Sequence, residues 1–319
     1  MIRLIRLACF TILSFFAHDV LAQIEVKEDT SIKGWKHGGF LVINFNQVSL
    51  TNWAGGGESA LSATVLGNAF LKFRKENIYF ETVMDAGFGI ITTEKQPVRK
   101  NDDKFEINSK FGRRAKGKLF YAGMMNFRTQ FAPGFNYPDD STIISDILAP
   151  AYLSLALGID YKPNEWYSVF LSPATGRATF VNSNSLANIG QFGVTPAILD
   201  TAGNVIVPGK HARYEFGAYL RARIQKDIAK NIKIISNLQL FNNYSDPIKI
   251  QRKNIDVNWE TSILIKANKW LTTSLYTNLI YDHDIQIPVQ RMVNGAAVDG
   301  TGIRTQFKET LGLGVSISF

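Results

Sequence analysis

The last fourteen residues of the chain read Gln306-Phe307-Lys308-Glu309-Thr310-Leu311-Gly312-Leu313-Gly314-Val315-Ser316-Ile317-Ser318-Phe319. Apart from Glu309, apolar residues occupy the odd positions of this stretch, and polar residues or glycine occupy the even ones. Successive side chains of a β-strand point to opposite faces, whereas a helix would spread this pattern around its circumference. The stretch therefore predicts a long strand with one apolar face and one polar face.

The same alternation recurs along the chain and defines twelve segments. They are centred near Ile43, Val65, Met84, Asn108, Met125, Leu155, Val169, Tyr219, Ile235, Asn258, Leu275 and Leu313. A two-layer β-sandwich also alternates, but these segments run about 10 to 16 residues, where globular strands average about 5–6. The even count and the alternation of short and long connections favour a membrane barrel. The sequence thus predicts an all-β fold: a transmembrane antiparallel β-barrel of about twelve strands, with short periplasmic turns and long extracellular loops.

The connections between the segments fall into two groups. Short turns are expected at 75–77, 115–118, 162–164, 228–230 and 267–269, and longer loops at 51–58, 92–103, 132–150, 176–210, 244–253 and 285–303. Loop 176–210 exceeds the usual length of a connection and is rich in apolar residues. We therefore expect it to fold into the barrel mouth, across the rim or against a partner.

Tryptophans mark the ends of the predicted strands. Trp35, Trp53, Trp166 and Trp270 all lie next to a strand end, where membrane barrels carry aromatic girdles. Both chain ends fall on the short-turn side, which in outer-membrane barrels faces the periplasm. Glu309 interrupts the apolar face of the last strand near the far interface, where a carboxylate is tolerated.

The first 22 residues have the layout of a secretory signal peptide. Arg3 and Arg6 precede an apolar run at 7–17, and small or aliphatic residues follow at 20–22. The predicted organisation is a signal peptide at 1–22, a short periplasmic segment at 23–35 and an outer-membrane barrel at 36–319. The single cysteine, Cys9, lies inside the leader, so the mature chain has no thiolate for zinc or for nucleophilic catalysis.

Composition excludes several other classes of protein. Hydrophobic residues make up 45% of the chain and aromatic residues 12%, which is too apolar for a disordered protein. Beyond the leader no run approaches the about 20 apolar residues of a membrane helix. Charged residues reach only 19%, and the net charge of +8 is scattered, so we expect no nucleic acid partner.

Residues 44–58 carry a motif that resembles a known family. The motif residues are Asn46, Gln47, Ser49, Asn52, Trp53, Gly55, Gly56, Gly57 and Glu58. The stretch resembles the hallmark of an uncharacterised family of Bacteroidota exported proteins, catalogued only as a domain of unknown function. Further matches lie at 161–164, 171–177, 186–194, 241–244 and 280–282, so the resemblance covers nearly all of the mature chain. It implies a Bacteroidota outer-membrane protein and brings no catalytic residues with it.

Two short features of the sequence were weighed separately. The Gly55-Gly56-Gly57 run lacks the Gly-Lys-Ser/Thr ending of a phosphate loop and predicts a tight loop at the outer rim. Its alternative role is a binding contact that involves Trp53 and Glu58. The terminal Phe319 resembles the C-terminal signal read by the outer-membrane barrel-assembly machinery, which we therefore expect as a partner during biogenesis.

The polar faces of the segments predict a charged lumen. Basic residues placed inward by parity are Lys72, Lys110, Arg114, Arg128, Arg213, Arg221, Arg223, Lys266, Arg304 and Lys308; acidic ones are Glu81, Asp85, Glu106, Asp160, Glu215, Asp256, Glu260 and Asp282. Such an interior is either a narrow hydrated pore or a plug of ion pairs. Twelve strands leave both open, because about eight strands are filled by side chains and about sixteen enclose a channel. The arginines of the segment around Tyr219 would favour anions.

Three histidines survive maturation. His37, His211 and His283 are expected to be solvated residues at strand ends, and none has a His-x-Ser partner of the kind found in hydrolytic barrels. Asp282 and Asp284 flank His283, but alternation sends the histidine to the opposite face from both acids. We expect no catalytic residue, no metal site and no cofactor.

These observations lead to three hypotheses about function. The first is a non-enzymatic channel for small polar or anionic solutes, narrowed by loop 176–210. The second is a non-conducting accessory subunit of a larger outer-membrane assembly. The third is an outer-membrane hydrolase with His211 or His283 as its base. The expected partners are outer-membrane lipid and other outer-membrane proteins.

Overall fold

The computed structural model describes residues 34–50, 58–94, 96–137, 139–164, 166–268, 271–285, 287–293 and 296–318. The predicted leader, most of the periplasmic segment and the centre of the motif loop lie outside these ranges. Asn52, Trp53, the three motif glycines, Trp270 and Phe319 also lie outside them, so what the sequence predicts for these residues stays a prediction.

Twelve antiparallel strands of 11 to 18 residues form a closed barrel. They are β1 (Gly34–Val48), β2 (Ala60–Lys75), β3 (Ile78–Thr93), β4 (Arg99–Lys116), β5 (Leu119–Thr129), β8 (Ala151–Tyr161), β9 (Tyr167–Phe180), β12 (Ala212–Ala229), β13 (Ile232–Asn243), β14 (Asp256–Lys266), β15 (Leu271–Tyr281) and β18 (Gln306–Ser318). Each strand pairs with its neighbours in chain order, and β1 pairs with β18 to close the ring. Each of the twelve predicted segment centres falls in a different strand, which confirms the predicted fold class.

The long loops carry the remaining elements. Three small hairpins are β6–β7 (Gly134–Phe135, Ile143–Ser145), β10–β11 (Ile198–Leu199, Val205–Val207) and β16–β17 (Ile287–Val293, Ala296–Gly302). The short helix α1 spans Asn184–Asn188, and 3-10 turns occur at Gln191–Gly193 and Gln251–Lys253. Among the described residues, no helix has the length and apolar character needed to cross a membrane.

Two predicted loop boundaries are wrong. The predicted loop 92–103 shrinks to 94–98, because β4 already begins at Arg99 and pairs with β3 through a bulge at Gly89 and Ile90. Loop 176–210 becomes 181–211, because β9 continues to Phe180. Residues 99–103 are all polar, so no alternation of apolar and polar residues reveals this part of β4.

The outward face of the barrel is apolar. Leu157, Leu311 and Leu313 are 71%, 63% and 52% exposed, and outward residues of the other strands follow the same register. Register joins them into a continuous surface, since Leu311 lies opposite Leu275 and Leu313 lies opposite Phe45. Soluble monomers rarely expose an apolar patch larger than a few hundred Å². Such a belt is typical of a barrel surrounded by lipid.

A bulge in β9 interrupts this regular wall. The pairing of β9 shifts by one residue against both neighbours at Ser172-Pro173-Ala174. Ser172 lies fully buried, and its Oγ lies 2.8 Å from the carbonyl oxygen of Leu157 and 2.9 Å from Thr175 Oγ1. These contacts replace ladder hydrogen bonds that the bulge removes, and Pro173 has no N–H to leave unpaired.

Candidate functional site

The lumen contains a cluster of ion pairs centred on Glu260. The Nζ of Lys104 lies 2.8 and 2.7 Å from the two carboxylate oxygens of Glu260, and 2.9 Å from Glu106. Arg128 Nη1 lies 3.5 Å from Glu260 Oε1. In the closed ring β14 is the sixth strand from β4 in either direction, so the pair Lys104–Glu260 joins opposite walls. The side chains of this cluster therefore span the lumen.

An amide network extends the cluster to a third part of the wall. Glu106 accepts hydrogen bonds from Asn108 at 3.0 Å and from Asn126 at 2.7 Å. Arg221 of β12 donates to Asn108 Oδ1 at 2.7 Å, although β12 lies four strands away from β4 in the ring. Glu106, Asn108, Asn126 and Glu260 are each less than a tenth exposed. Water is thus largely excluded from the middle of the barrel.

A second polar cluster lies nearer the short-turn end. The carboxylate of Asp160 is fully buried; it accepts a hydrogen bond from Tyr79 Oη at 2.5 Å and pairs with Lys110 Nζ at 2.9 Å. Lys162 pairs with Glu81, and its Nζ lies 4.1 Å from the centre of the Tyr79 ring. β3 and β8 are three strands apart, so Tyr79 and Asp160 also connect non-neighbouring strands.

Buried apolar side chains fill the space beside the two clusters. They are Ala122, Met124, Ala156, Phe170, Tyr219 and Phe241. The guanidinium of Arg177 stacks 3.9 Å from the centre of the Phe241 ring and pairs with Asp256 at 3.0 Å. Phe170 and Phe241 are almost completely buried. This part of the lumen is packed like a small protein core.

Except for Asp282 and Arg304, which lie in connections beside β15 and β18, the charged residues predicted to line the lumen lie on barrel strands with inward register. Arg128 and Glu260 belong to the central cluster, and Lys266 is exposed at the end of β14. Three others form ion pairs: Arg213 with Glu215, Lys308 with Asp102, and Glu81 with Lys162. A further three form hydrogen bonds with asparagines: Arg221 with Asn108, Arg223 with Asn237, and Asp85 with Asn68. The arginine ladder predicted to favour anions is therefore engaged in hydrogen bonds with neighbouring side chains. A role of these residues in solute passage stays a prediction.

The prediction missed Lys104, the residue that completes the central cluster. Lys104 directly follows the predicted loop 92–103 and has the same parity as Glu106 and Lys110, but it is not among the residues predicted to face inward. Asn126 was also missed, because an uncharged amide gives no signal of a luminal network. Which strands oppose one another follows only from closure of the ring.

Loop 181–211 folds onto its own neighbours at the long-loop end. Val181, Leu186, Ala187 and Val194 form a buried cluster with Ala149 of the preceding loop, and Phe192 packs against it. The hairpin β10–β11 projects from this cluster with exposed apolar side chains. Loop 181–211 thus packs against the preceding long loop of the same chain, whereas its predicted contact with the barrel mouth, the rim or a partner stays a prediction.

Asp200 shapes the turn of the β10–β11 hairpin. Its carboxylate accepts hydrogen bonds from the side chain and backbone of Asn204 and from the backbone of Ala202. These donors favour the ionised form and hold the pKa of Asp200 below its usual range. The turn is therefore formed by a carboxylate that stays charged at neutral pH.

We expect Leu186→Asp to release loop 181–211 without unfolding the barrel. Leu186 is 1% exposed, and an aspartate there would place an unpaired charge inside the loop cluster. Limited proteolysis of the folded protein should then cut the loop at least about ten times faster. Ile189→Asp is the matched control, because Ile189 is 69% exposed in the same loop and should leave the rate unchanged. Equal rates in both variants would contradict the packing of this loop.

The three histidines of the described ranges lie on or beside different strands of the barrel. His37 is exposed on β1, and His211 Nδ1 lies 2.7 Å from the carbonyl oxygen of Val181. His283 follows β15, where the neighbouring Asp284 pairs with Arg213. In the described ranges no three His, Cys, Asp or Glu residues are grouped closely enough to hold a metal ion.

Only the edges of the motif loop belong to the described residues. Asn46, Gln47 and Ser49 are exposed at the end of β1, and Glu58 precedes β2. The backbone N–H of Leu50 donates to Ser59 Oγ at 3.1 Å, which ties the two edges of the loop together. This places the motif at the long-loop end of the barrel.

Comparison with known proteins gives a partial family match. The family described as "Protein of unknown function (DUF3078)" matches residues 45–135, less than a third of the chain. The matched range includes the whole motif at 46–58, in agreement with a resemblance to a family of unknown function. The Bacteroidota origin stays a prediction. None of the curated proteins matches the chain.

Several solved barrels are similar at low identity. The COG4313 outer membrane channel from Pseudomonas putida F1 is 10% identical with a TM-score of 0.38, over 93% of this chain and 100% of the channel. The translocator domain of the autotransporter NalP from Neisseria meningitidis is 7% identical with a TM-score of 0.35, over 90% and 89%. The outer membrane channel DcaP of Acinetobacter baumannii is 9% identical with a TM-score of 0.31, over 90% and 96%. Likenesses at these scores carry no argument about function.

Proposed function

We propose that the chain is an integral outer-membrane barrel with a closed lumen, and that it acts as a non-conducting accessory or structural subunit of a larger outer-membrane assembly. The observation that carries this proposal is the ion pair Lys104–Glu260, which joins strands on opposite sides of the ring. A hydrated pore needs a continuous water path, and here charged and aromatic side chains occupy that path. The chain contributes no catalytic group in this proposal.

The membrane part of the proposal rests on the outward face. Side chains such as Leu157 and Leu311 would be exposed to water in a soluble protein, at a cost of about 25 cal/mol for each Å² of apolar surface. Lipid removes this cost, and ring closure satisfies the backbone groups that lipid cannot bind. The exposed apolar hairpin β10–β11 outside the barrel supports contact with other membrane proteins.

A gated channel is the second candidate, and partial water access to the lumen favours it. The side chains of Arg128 and Lys308 remain 27% and 40% exposed, so water reaches charged groups inside the barrel wall. If the central pairs separated, small polar or anionic solutes would meet these cations first. Loop 181–211 would then narrow the entrance.

Planar lipid bilayers distinguish the two candidates. The purified, folded protein should insert and give no steady conductance, and a variant with residues 183–209 replaced by a short Gly-Ser linker should also stay silent. Steady conductance of the intact protein would contradict the closed lumen and favour a channel. Conductance of the loop variant alone would make the loop a gate. Cross-linking in intact membranes then tests the assembly, because a barrel found only as a monomer would contradict the accessory role.

A further inference from the structure

A groove crosses the outer wall of the barrel beside the bulge of β9. Its volume is about 760 Å³, and it runs over β4, β5, β8, β9 and β12 as far as Tyr244, directly after β13. Tyr121, Leu157 and Leu171 form its sides and are 65%, 71% and 53% exposed. The groove is therefore an apolar depression in a surface that faces lipid under the proposed function.

Small side chains and the bulge create this depression. Gly123 faces outward opposite Phe111 and Leu157, and a Cβ built on it would meet only Leu157 Cδ2, at 3.4 Å. Ala218 and Pro173 continue the floor across β12 and β9. A Cβ at Gly123 would meet no backbone atom of another strand, so part of this space results from the absence of a side chain.

One cation lies at the short-turn end of the groove. Arg113 lines the groove four residues before Gly117 of the β4–β5 turn, opposite Tyr121 and Ile78. Its side chain is exposed and makes no ion pair or hydrogen bond within the described part of the chain. An arginine on the lipid face is tolerated near the interface, where it can bind an anionic group.

The surroundings of Arg113 match the level of lipid headgroups. Lys75 and Lys226 also face outward at this end of the barrel, and Lys226 Nζ lies 4.5 Å from the centre of the Trp166 ring. Aromatic and basic side chains together are typical of the membrane interface. At this end of the barrel, the phosphate groups of the periplasmic leaflet would lie at the level of Arg113, and the acyl chains would lie beside the groove.

We propose that the groove is a binding site for one phospholipid of the periplasmic leaflet, with an acyl chain along Gly123 and Leu157 and the phosphate on Arg113. The site rests on the proposed membrane location, but not on whether the lumen conducts. The apolar walls recognise the chain, and the unpaired guanidinium recognises the phosphate through charge-assisted hydrogen bonds. This would make the wall around the bulge a specific lipid contact.

Lipid retention tests the site. The folded full chain is inserted into vesicles of phosphatidylethanolamine and phosphatidylglycerol, extracted in a mild detergent and weighed by native mass spectrometry. We expect one retained phospholipid in the wild type and at least a tenfold loss in Gly123→Leu, which places a branched side chain where the acyl chain would lie. Gly67→Leu is the matched control, because Gly67 also faces outward, on β2, and a Cβ there meets only Leu41, at 3.7 Å.

A second pair of variants tests the phosphate contact. Arg113→Gln should weaken retention of phosphatidylglycerol about tenfold, whereas Lys75→Gln at the same barrel end should leave it unchanged. Equal retention in Gly123→Leu and Gly67→Leu, or retention of detergent alone by the wild type, would overturn the site. A chain that fails to insert into vesicles would instead contradict the proposed membrane barrel, so the two failures are distinguishable.

Discussion

Replacing Glu260 by alanine should lower the free energy of unfolding of the barrel by about 3–5 kcal/mol. Glu260 is 8% exposed, and its two oxygens face Lys104 and Arg128. Without the carboxylate, Lys104 and Arg128 stay inside the lumen, where little water is available to solvate their charges. Breaking a buried pair costs far more than the pair contributes, because an uncompensated charge is left behind.

Urea unfolding of the reconstituted barrel, followed by tryptophan fluorescence, measures this effect. Asp102→Ala is the control: its partner Lys308 is 40% exposed, so the loss should be about 0–1 kcal/mol. The double variant Lys104→Met, Glu260→Gln should recover part of the stability, because it removes one of the two cations that lose Glu260, while Glu106 keeps the hydrogen bonds from Asn108 and Asn126. A loss in Glu260→Ala no larger than that in Asp102→Ala would contradict the buried luminal cluster.

In the Gly158→Ala variant, we expect most protein molecules to fail to fold into a barrel. A Cβ at Gly158 would lie 2.0 Å from the carbonyl oxygen of Leu171 and 2.8 Å from Ser172 Cα. Both are backbone atoms of the β9 bulge, so no side chain can move away to relieve the contact. Overpacking costs about 1–3 kcal/mol in a core that can adjust and more where the backbone must shift.

Gel electrophoresis of unheated samples measures this outcome, because a folded, compact barrel migrates faster than the unfolded chain. The fraction of protein in the faster band is the folded yield. Gly123→Ala is the matched control on the neighbouring strand, because its Cβ would meet only a flexible leucine side chain at 3.4 Å. We expect at least about a tenfold fall in folded yield for Gly158→Ala and none for the control. Equal yields would show that the bulge does not hold the backbone as close to Gly158 as described.

The alternation of residues was sufficient to predict the strands because each strand separates lipid from the lumen. In β18 every second residue faces outward, and this pattern needs no knowledge of the rest of the fold. The pattern failed at residues 99–103, where all side chains are polar although the stretch pairs with β3 as a strand. Backbone hydrogen bonds between distant segments cannot be recognised from the residue types of such a stretch.

The luminal contacts were beyond prediction for a different reason. The alternation of residues along each strand predicts that Glu260 and Arg128 face inward. Whether the two side chains meet depends on which strands are opposite one another and on how far the side chains extend. The sequence therefore left the choice between pore and plug open. Pro173 inside a strand was a usable signal of the bulge, since a proline cannot join a continuous ladder. The groove beside the bulge depends on the absence of a side chain at Gly123, and the alternation of apolar and polar residues does not reveal such a space.

Reaction of a thiol inside the barrel with a water-soluble reagent tests the closed lumen most directly. Ser274 faces inward on β15, is 7% exposed and takes part in no ion pair, so Ser274→Cys changes little. In a chain expressed without residues 1–22 this is the only cysteine, and Ser49→Cys provides an exposed reference of the same type. In vesicles open to the reagent from both sides, the closed lumen predicts that Ser274→Cys reacts at least about a hundred times more slowly than Ser49→Cys and reacts fully after unfolding. Equal rates in the folded protein would mean that water fills the lumen, and would contradict the account.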